Sequence, residues 1–251
     1  MTRYFSRRKL FQLVPVAVLA LAGCQNESVP GPESGTDYYP LEVGRYRIYA
    51  VSDTLWANYQ RQVTTYQFRE TITDPITGAA GVTGYRLVRA KRLLPTDAWR
   101  DDSVMVVTPT EGALVLTRNN RRTVELVFPV RKDRAWNMTA FSAVDTVIKQ
   151  EDESRRYEKV GEPFQVTTGG KTYRYEQTLT TALIDDNITG FDDEYYLSKY
   201  TQVYAKGIGP VYRVRRRFNY CDQQAQTCSR TNTRIYQGQS RVEVLLEEGK
   251  L

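Results

Sequence analysis

Histidine is absent from this 251-residue chain. That one absence removes the Ser-His-Asp and Cys-His arrangements of nucleophilic catalysis and the histidine-based zinc sites. Enzyme chemistry would have to come from a pair of carboxylates, or from lysine or tyrosine acting as acid or base. Cysteine is scarce as well: three residues, at positions 24, 221 and 228. Long apolar runs are also missing. The longest, Leu10–Ala22, is interrupted by Gln12 and Pro15 and covers about 13 residues, against the ~20 that a membrane-spanning helix needs. No apolar stripe at 3.6-residue spacing extends beyond two turns, so at most one or two short helices are expected.

What is present begins at the N-terminus. Arg3, Arg7, Arg8 and Lys9 precede the apolar run, which ends in Leu21-Ala22-Gly23-Cys24. A basic start, a short apolar core and small residues before a cleavage point make a secretory signal peptide over 1–23. The last four residues resemble the lipobox of bacterial lipoproteins. That resemblance implies a diacylated Cys24, cleavage before it and acylation of the new amine. Two or three acyl chains hold a protein firmly where one holds marginally, at ~0.8 kcal/mol per buried CH₂. Gln25 follows the cysteine, and under the Gram-negative sorting pattern a residue other than Asp implies the outer membrane. Ser6-Arg7-Arg8-Lys9-Leu10-Phe11 also resembles a twin-arginine export motif, for which a plain basic n-region is the simpler account. Residues 25–39 are polar and rich in Ser, Gly and Pro, too poor in apolar surface to offset ordering entropy. Positions 24–39 are therefore expected to be the lipidated cysteine and a flexible tether.

Losing the signal changes the electrostatics. The chain holds 35 Lys+Arg against 29 Asp+Glu, and four of the basic residues lie within 1–23, so the net charge drops from +6 to about +2. A nucleic-acid partner has no global electrostatic case. With Cys24 taken by lipid, Cys221 and Cys228 remain as an even pair in an exported protein, which favours a disulfide closing the short Asp222–Thr227 loop. No further cysteine or histidine completes a metal site with them.

From residue 40 onward the pattern is alternation. Tyr173, Tyr175 and Leu179 fall opposite Thr172, Arg174, Glu176 and Thr178; Val124, Leu126, Phe128 and Val130 share a face; Val242, Val244 and Leu246 oppose Arg241 and Glu243. Such periodicity marks half-buried strands. Further strands are expected near 44–52, 60–70, 83–92, 102–108, 113–118, 144–150, 155–160, 163–168, 197–206, 209–220 and 228–236. Turn chemistry separates them at Asp74-Pro75-Ile76-Thr77-Gly78, Glu111-Gly112, Asn119-Asn120, Gly169-Gly170 and Gly207. Abundant Tyr, Thr and Val suit a sheet. The expectation is one all-β domain over 40–251, an antiparallel curved sheet or partly open β-barrel.

Three stretches, Tyr38-Tyr39-Pro40-Leu41-Glu42-Val43-Gly44-Arg45-Tyr46, Phe128-Pro129-Val130 with Trp136, and Tyr204-Ala205-Lys206-Gly207-Ile208-Gly209-Pro210-Val211, resemble elements of envelope lipoproteins common in Bacteroidota. Some of these have curved sheets reminiscent of the LolA/LolB carriers. The resemblance implies fold and location, and it brings no catalytic residue.

Candidate sites are few. Arg213, Arg215 and Arg217 share one face of a strand and form a candidate row for anionic headgroups, since the guanidinium fork binds phosphate in a bidentate manner. In the acidic cluster of residues 185–194, Asp185, Asn187 and Gly190 match parts of a calcium loop, but Tyr196 stands where its bidentate Glu belongs, and a solvated acidic loop is the simpler account. Asp101-Asp102 and Glu151-Asp152-Glu153 are neighbouring acids whose separation a sequence cannot supply, and adjacent strand residues face opposite sides. The reading that follows is a non-catalytic binding or scaffolding lipoprotein, with no metal and no cofactor beyond the covalent lipid. Its expected partners are the membrane and envelope proteins or lipids. The alternatives are a lipid or lipoprotein carrier with a hydrophobic concavity, and a histidine-free carboxylate hydrolase. Radiolabelled fatty acid is expected to enter the wild-type chain in vivo and to be absent from Cys24→Ala; label persisting in that variant overturns the lipobox assignment.

Overall fold

The computed structural model describes residues 34–78, 81–141, 154–184, 196–220 and 234–251. Cys24, Cys221, Cys228, the expected strand at 144–150 and the acidic segments 151–153 and 185–194 lie outside the described residues.

Alternation becomes sheet. Twelve antiparallel strands follow one another: β1 (Arg45–Ala57), β2 (Gln60–Thr77), β3 (Thr83–Arg92), β4 (Arg100–Pro109), β5 (Ala113–Arg118), β6 (Arg121–Val127), β7 (Ala135–Asn137), β8 (Ser154–Thr168), β9 (Lys171–Leu183), β10 (Tyr196–Ala205), β11 (Gly209–Asn219) and β12 (Gln237–Lys250). They form one sheet in the order β6-β5-β4-β3-β2-β1-β12-β11-β10-β9-β8-β7. The first and last strands pair along almost their whole length, so the break in the ring falls between β6 and β7, in the middle of the chain. The molecule is all-β and nearly closed like a barrel, and a 3-10 turn at Thr36–Tyr38 is the one helical element among the described residues.

Side chains bridge the break where backbone pairing stops. The Tyr157 hydroxyl on β8 accepts from the Val127 amide (2.8 Å) and donates to the Val127 carbonyl (2.7 Å), doing for one residue what a neighbouring strand would do. The Trp136 indole N–H donates to Val124 O at 3.0 Å, and Val124 N–H donates to Met138 O at 2.8 Å. Arg155 on β8 reaches Glu125 on β6 at 3.3 Å. The Tyr157 and Trp136 bonds are partly buried, and a backbone group left unpaired away from water is costly.

The strand directions give the sheet two unlike ends. The turns after β1, β3 and β5 and the approaches to β10 and β12 lie at one end. The N-terminal residues, the turns after β2, β4, β8 and β10, and the C-terminus lie at the other. At the second end the three stretches that resemble envelope lipoproteins come together. The rings of Tyr39 and Tyr204 lie 6.3 Å apart, Gly207 N–H donates to Asp37 O, Val130 N–H donates to Ser34 O, and Tyr38 and Phe128 share one hydrophobic cluster. Arg47 donates to Ile208 O at 2.7 Å and Arg45 to Gly207 O at 2.7 Å. Gly209 has φ +104, and a Cβ there would lie 2.7 Å from the Arg47 guanidinium, so only glycine admits this brace. These stretches are a structural plug.

Several expectations need correction. Tyr38 and Tyr39 are buried, so these two residues belong to the folded domain rather than to the expected tether. Asp74–Thr77 is not a turn: β2 runs through it with a bulge before Pro75, and the reversal comes at Gly78–Gly81. Segments 155–160 and 163–168 are one strand, β8, bent by three irregularities. Of 228–236, the described residues 234–236 are not strand, and β12 begins at Gln237. Asn119-Asn120 and Gly169-Gly170 do turn as expected, all four at positive φ.

Tyr157→Phe keeps the ring and strips both hydroxyl bonds, leaving two partly buried backbone groups without this partner. We expect a loss of about 2–3 kcal/mol in urea unfolding and faster hydrogen exchange at the Val127 amide. Unchanged exchange at Val127 would show that the seam does not depend on this bond.

Candidate functional site

The inward face of β2 reads Tyr66, Phe68, Glu70, Ile72, a carboxylate set in an apolar row. Glu70 is about 1 % exposed. Its cross-strand neighbour on β3 is Arg89, which donates to Oε1 at 2.5 Å. The second partner comes from across the interior. Arg213 of β11 extends over the Tyr49 ring of β1, 4.8 Å from its centroid, and grips both Glu70 oxygens at 2.9 and 3.0 Å. The same guanidinium meets Glu243 of β12 at 2.9 Å. Burial by itself would raise the Glu70 pKa; the charges and hydrogen bonds of Arg213 and Arg89 outweigh it and hold the carboxyl well below the usual carboxylate range. Glu70 is therefore a locked anion with both oxygens engaged, unsuited to passing protons.

The other interior acids are used in the same way. Glu125 receives Arg155 and the Thr123 hydroxyl. Asp53 receives Arg241 through Nε (2.9 Å) and Nη2 (2.6 Å), the Gln239 amide and the Tyr66 hydroxyl. Desolvation at Asp53 is likewise overcome, by Gln239 and Arg241, and its pKa is lowered.

Above this network lies a cavity of about 440 Å³, within the range typical of ligand pockets. Its lining carries nine arginine and lysine side chains against three glutamates. Arg118, at the end of β5, registers the imbalance: burial and then the nearby Arg89 lower its pKa, opposed by Asp102. Tyr39 forms part of the lining on the plugged side, and Arg118, Asn119, Arg121, Ser198 and Lys199 line it toward the other end. Ser198, Tyr200 and Gln202 of β10 line this cavity. Thr201 and Val203, on the opposite face of the same strand, line a second one of about 450 Å³ beside Phe164 and Tyr212.

All three arginines of the candidate headgroup row line the interior cavity. Arg213 belongs to the buried ion network, while Arg215 and Arg217 lie farther along β11 and are more exposed. The concavity expected for a carrier exists, but charged groups share its lining with Leu87, Met105, Leu116, Met138 and Leu183, so it is mixed rather than hydrophobic. Glu70, Arg89, Glu125, Arg155 and Glu243 were not anticipated from sequence. For Glu70, Arg89 and Arg155 the signal was a charge in the apolar register of a strand; Glu125 and Glu243 fall opposite the apolar faces read from the sequence, yet both are buried. Asp101 and Asp102 are successive residues of β4 and form no carboxylate pair across a site.

The chain matches no protein-family model and no curated protein. Among solved structures it is similar to a protein of Bacteroides fragilis described as exported and having a YmcC-like fold, at 10 % identity and TM-score 0.40, covering 84 % of this chain and 98 % of that one. It is also similar to a protein of Parabacteroides distasonis described as a lipoprotein, at 8 % identity and TM-score 0.37, with the same coverage.

Breaking the Glu70 pairings is expected to be costly. Glu70→Gln leaves Arg89 and Arg213 short of a buried counter-charge, and we expect a loss of about 3–5 kcal/mol at neutral pH. The folded-state pKa of Glu70 lies below its unfolded value, so its contribution is complete above the ordinary carboxylate range and fades as pH falls toward the folded value. Denaturant titrations from neutral to acid pH should show a shallower acid-side decline in Glu70→Gln than in wild type. Equal slopes would contradict the assignment.

Proposed function

We propose that this is an exported lipoprotein, anchored at the outer membrane through Cys24, whose barrel interior binds an anionic ligand without transforming it. The observation that carries the reading is the make-up of the cavity lining: among the described residues, nine cationic side chains against three glutamates, each glutamate paired with an arginine. A recess with a surplus of one sign and low-dielectric walls concentrates counter-ions and strengthens each contact above its value in water. Arginine suits the task because its fork binds phosphate or carboxylate in two places and it never loses its charge. The reading as a binding module rather than an enzyme rests on the absence of histidine and on the interior acids being held as ion-paired anions. A Cys221–Cys228 disulfide, closing the loop between β11 and β12, belongs to the same proposal for an oxidising compartment.

Calorimetric titration of the full chain with tripolyphosphate at low salt tests the binding claim. Saturable heat is expected, weakening as salt rises. Arg215→Gln combined with Arg217→Gln should lower the affinity about tenfold or more. No heat in wild type, or full affinity in the double variant, overturns the reading.

A further inference from the structure

We propose that the free edge of β2 over Gln60–Tyr66 pairs with the same edge of a second copy of this chain, antiparallel about a two-fold axis at Val63. The inference is independent of the anion-binding reading and concerns a different part of the molecule.

The β1–β2 hairpin outruns its neighbour. β2 pairs with β1 from Gln60 onward, whereas its ladder with β3 begins only at Gln67, opposite Arg92. After Arg92 the chain leaves into the turn in which Asp97 N–H donates to Leu94 O. Gln60–Tyr66 therefore has no strand on that side among the described residues, and Gln60 to Thr65 are all exposed. The other side of the hairpin is held. Trp56 and Phe218 each lie opposite Gly238, whose missing side chain lets the two rings meet edge to face at 5.0 Å. Tyr59 N–H donates to Tyr236 O at 2.9 Å, and the two rings lie 5.3 Å apart.

Hairpin geometry says which backbone groups face the open side. Asn58 and Tyr59, both at positive φ, make a two-residue turn closed by the pair Ala57–Gln60. Such a closing pair exchanges both hydrogen bonds, and bonded and unbonded pairs then alternate along the ladder. No irregularity interrupts β1 against β2. Gln60, Gln62, Thr64 and Tyr66 thus bond to β1, while Arg61, Val63 and Thr65 turn their N–H and C=O groups outward. An edge of this kind is a template for another strand. The usual guards are missing: Gln60–Tyr66 holds no proline, no bulge and no lysine, and its one charge is Arg61.

The edge fits itself. With the axis at Val63, each Val63 faces its own equivalent and each Arg61 faces Thr65 of the other copy. All three outward donors and all three outward acceptors are then met on each side, which is the self-complementarity a two-fold contact requires. Arg61 meets no like charge directly opposite. Val63, 45 % exposed, is covered by its equivalent. A foreign extended peptide would satisfy the same backbone groups; self-pairing is favoured because the side chains of this edge also suit their own equivalents. Three residues a side make a small interface, so the dimer is of the weak, concentration-dependent class.

Residue-resolved hydrogen exchange on the full chain purified in detergent, over a series of protein concentrations, tests this. The amides of Arg61, Val63 and Thr65 are expected to exchange fast when dilute and about tenfold more slowly as the dimer fills. Those of Gln62 and Thr64, bonded to β1, should be protected at every concentration. Val63→Pro removes one outward donor that β1 does not use. It should abolish the concentration dependence at Arg61 and Thr65 and leave a monomer in native mass spectrometry where the wild type shows a dimer. Unchanged protection of Gln62 and Thr64 in that variant reports that the hairpin is intact. Fast exchange of the three amides at every concentration overturns the proposal. Slow exchange that ignores concentration assigns the edge to a segment of the same molecule and overturns it too, as does a dimer that persists in Val63→Pro.

Discussion

The side chain of Arg213 determines how the interior of this protein is built. It leaves β11, crosses over the Tyr49 ring on β1 and closes on Glu70 of β2, with Glu243 of β12 beside it. Four adjacent strands of a strongly curved sheet are thereby joined through one guanidinium group. Hydrogen-bonded pairing fixes each strand against its neighbour and leaves the curvature of the whole sheet free. A buried ion contact across the concave side ties the strands together at one depth. Buried charges that lose a partner are costly, and the network admits few alternative arrangements.

The cavity follows from that constraint. Ion pairs fill the middle of the barrel and tyrosines and arginine-braced loops fill one end, so the space that remains lies toward the other end. The acids near it are already taken, by Arg89, Arg213, Arg155 and Arg241, and the surplus of the lining is cationic. Stability and recognition thus draw on the same residue type at different depths. Arg213 and Arg89 are tied into the buried ion network, while Arg215 and Arg217, farther along β11, also line the cavity.

Much of the strand pattern was legible because a half-buried strand repeats every second residue, and most turns announced themselves through Asn, Gly and Pro. Legibility failed where one residue has two meanings. Pro75 signals a turn, yet it also tolerates a bulge, where no ladder hydrogen bond is asked of it. Gly161 and Pro163 suggest a break between two strands, yet β8 carries them as irregularities within one strand. The arginine row on β11 was visible as a row. That its first member is ion-paired inside the barrel was not, because Glu70 lies 143 residues away and only the closure of the sheet brings it near.

The sequence by itself determined the chemical limits: no histidine chemistry, an all-β chain, a lipobox-like Cys24 and strands whose two faces differ. Those are properties of composition and of short-range order, which a strand expresses through its own periodicity. Tertiary structure decided where the break in the ring falls, which acids are spent on which arginines, and which side chains line the cavity. Each of these depends on which strands meet around the ring. That is set by contacts between residues far apart in the chain, to which periodicity is blind.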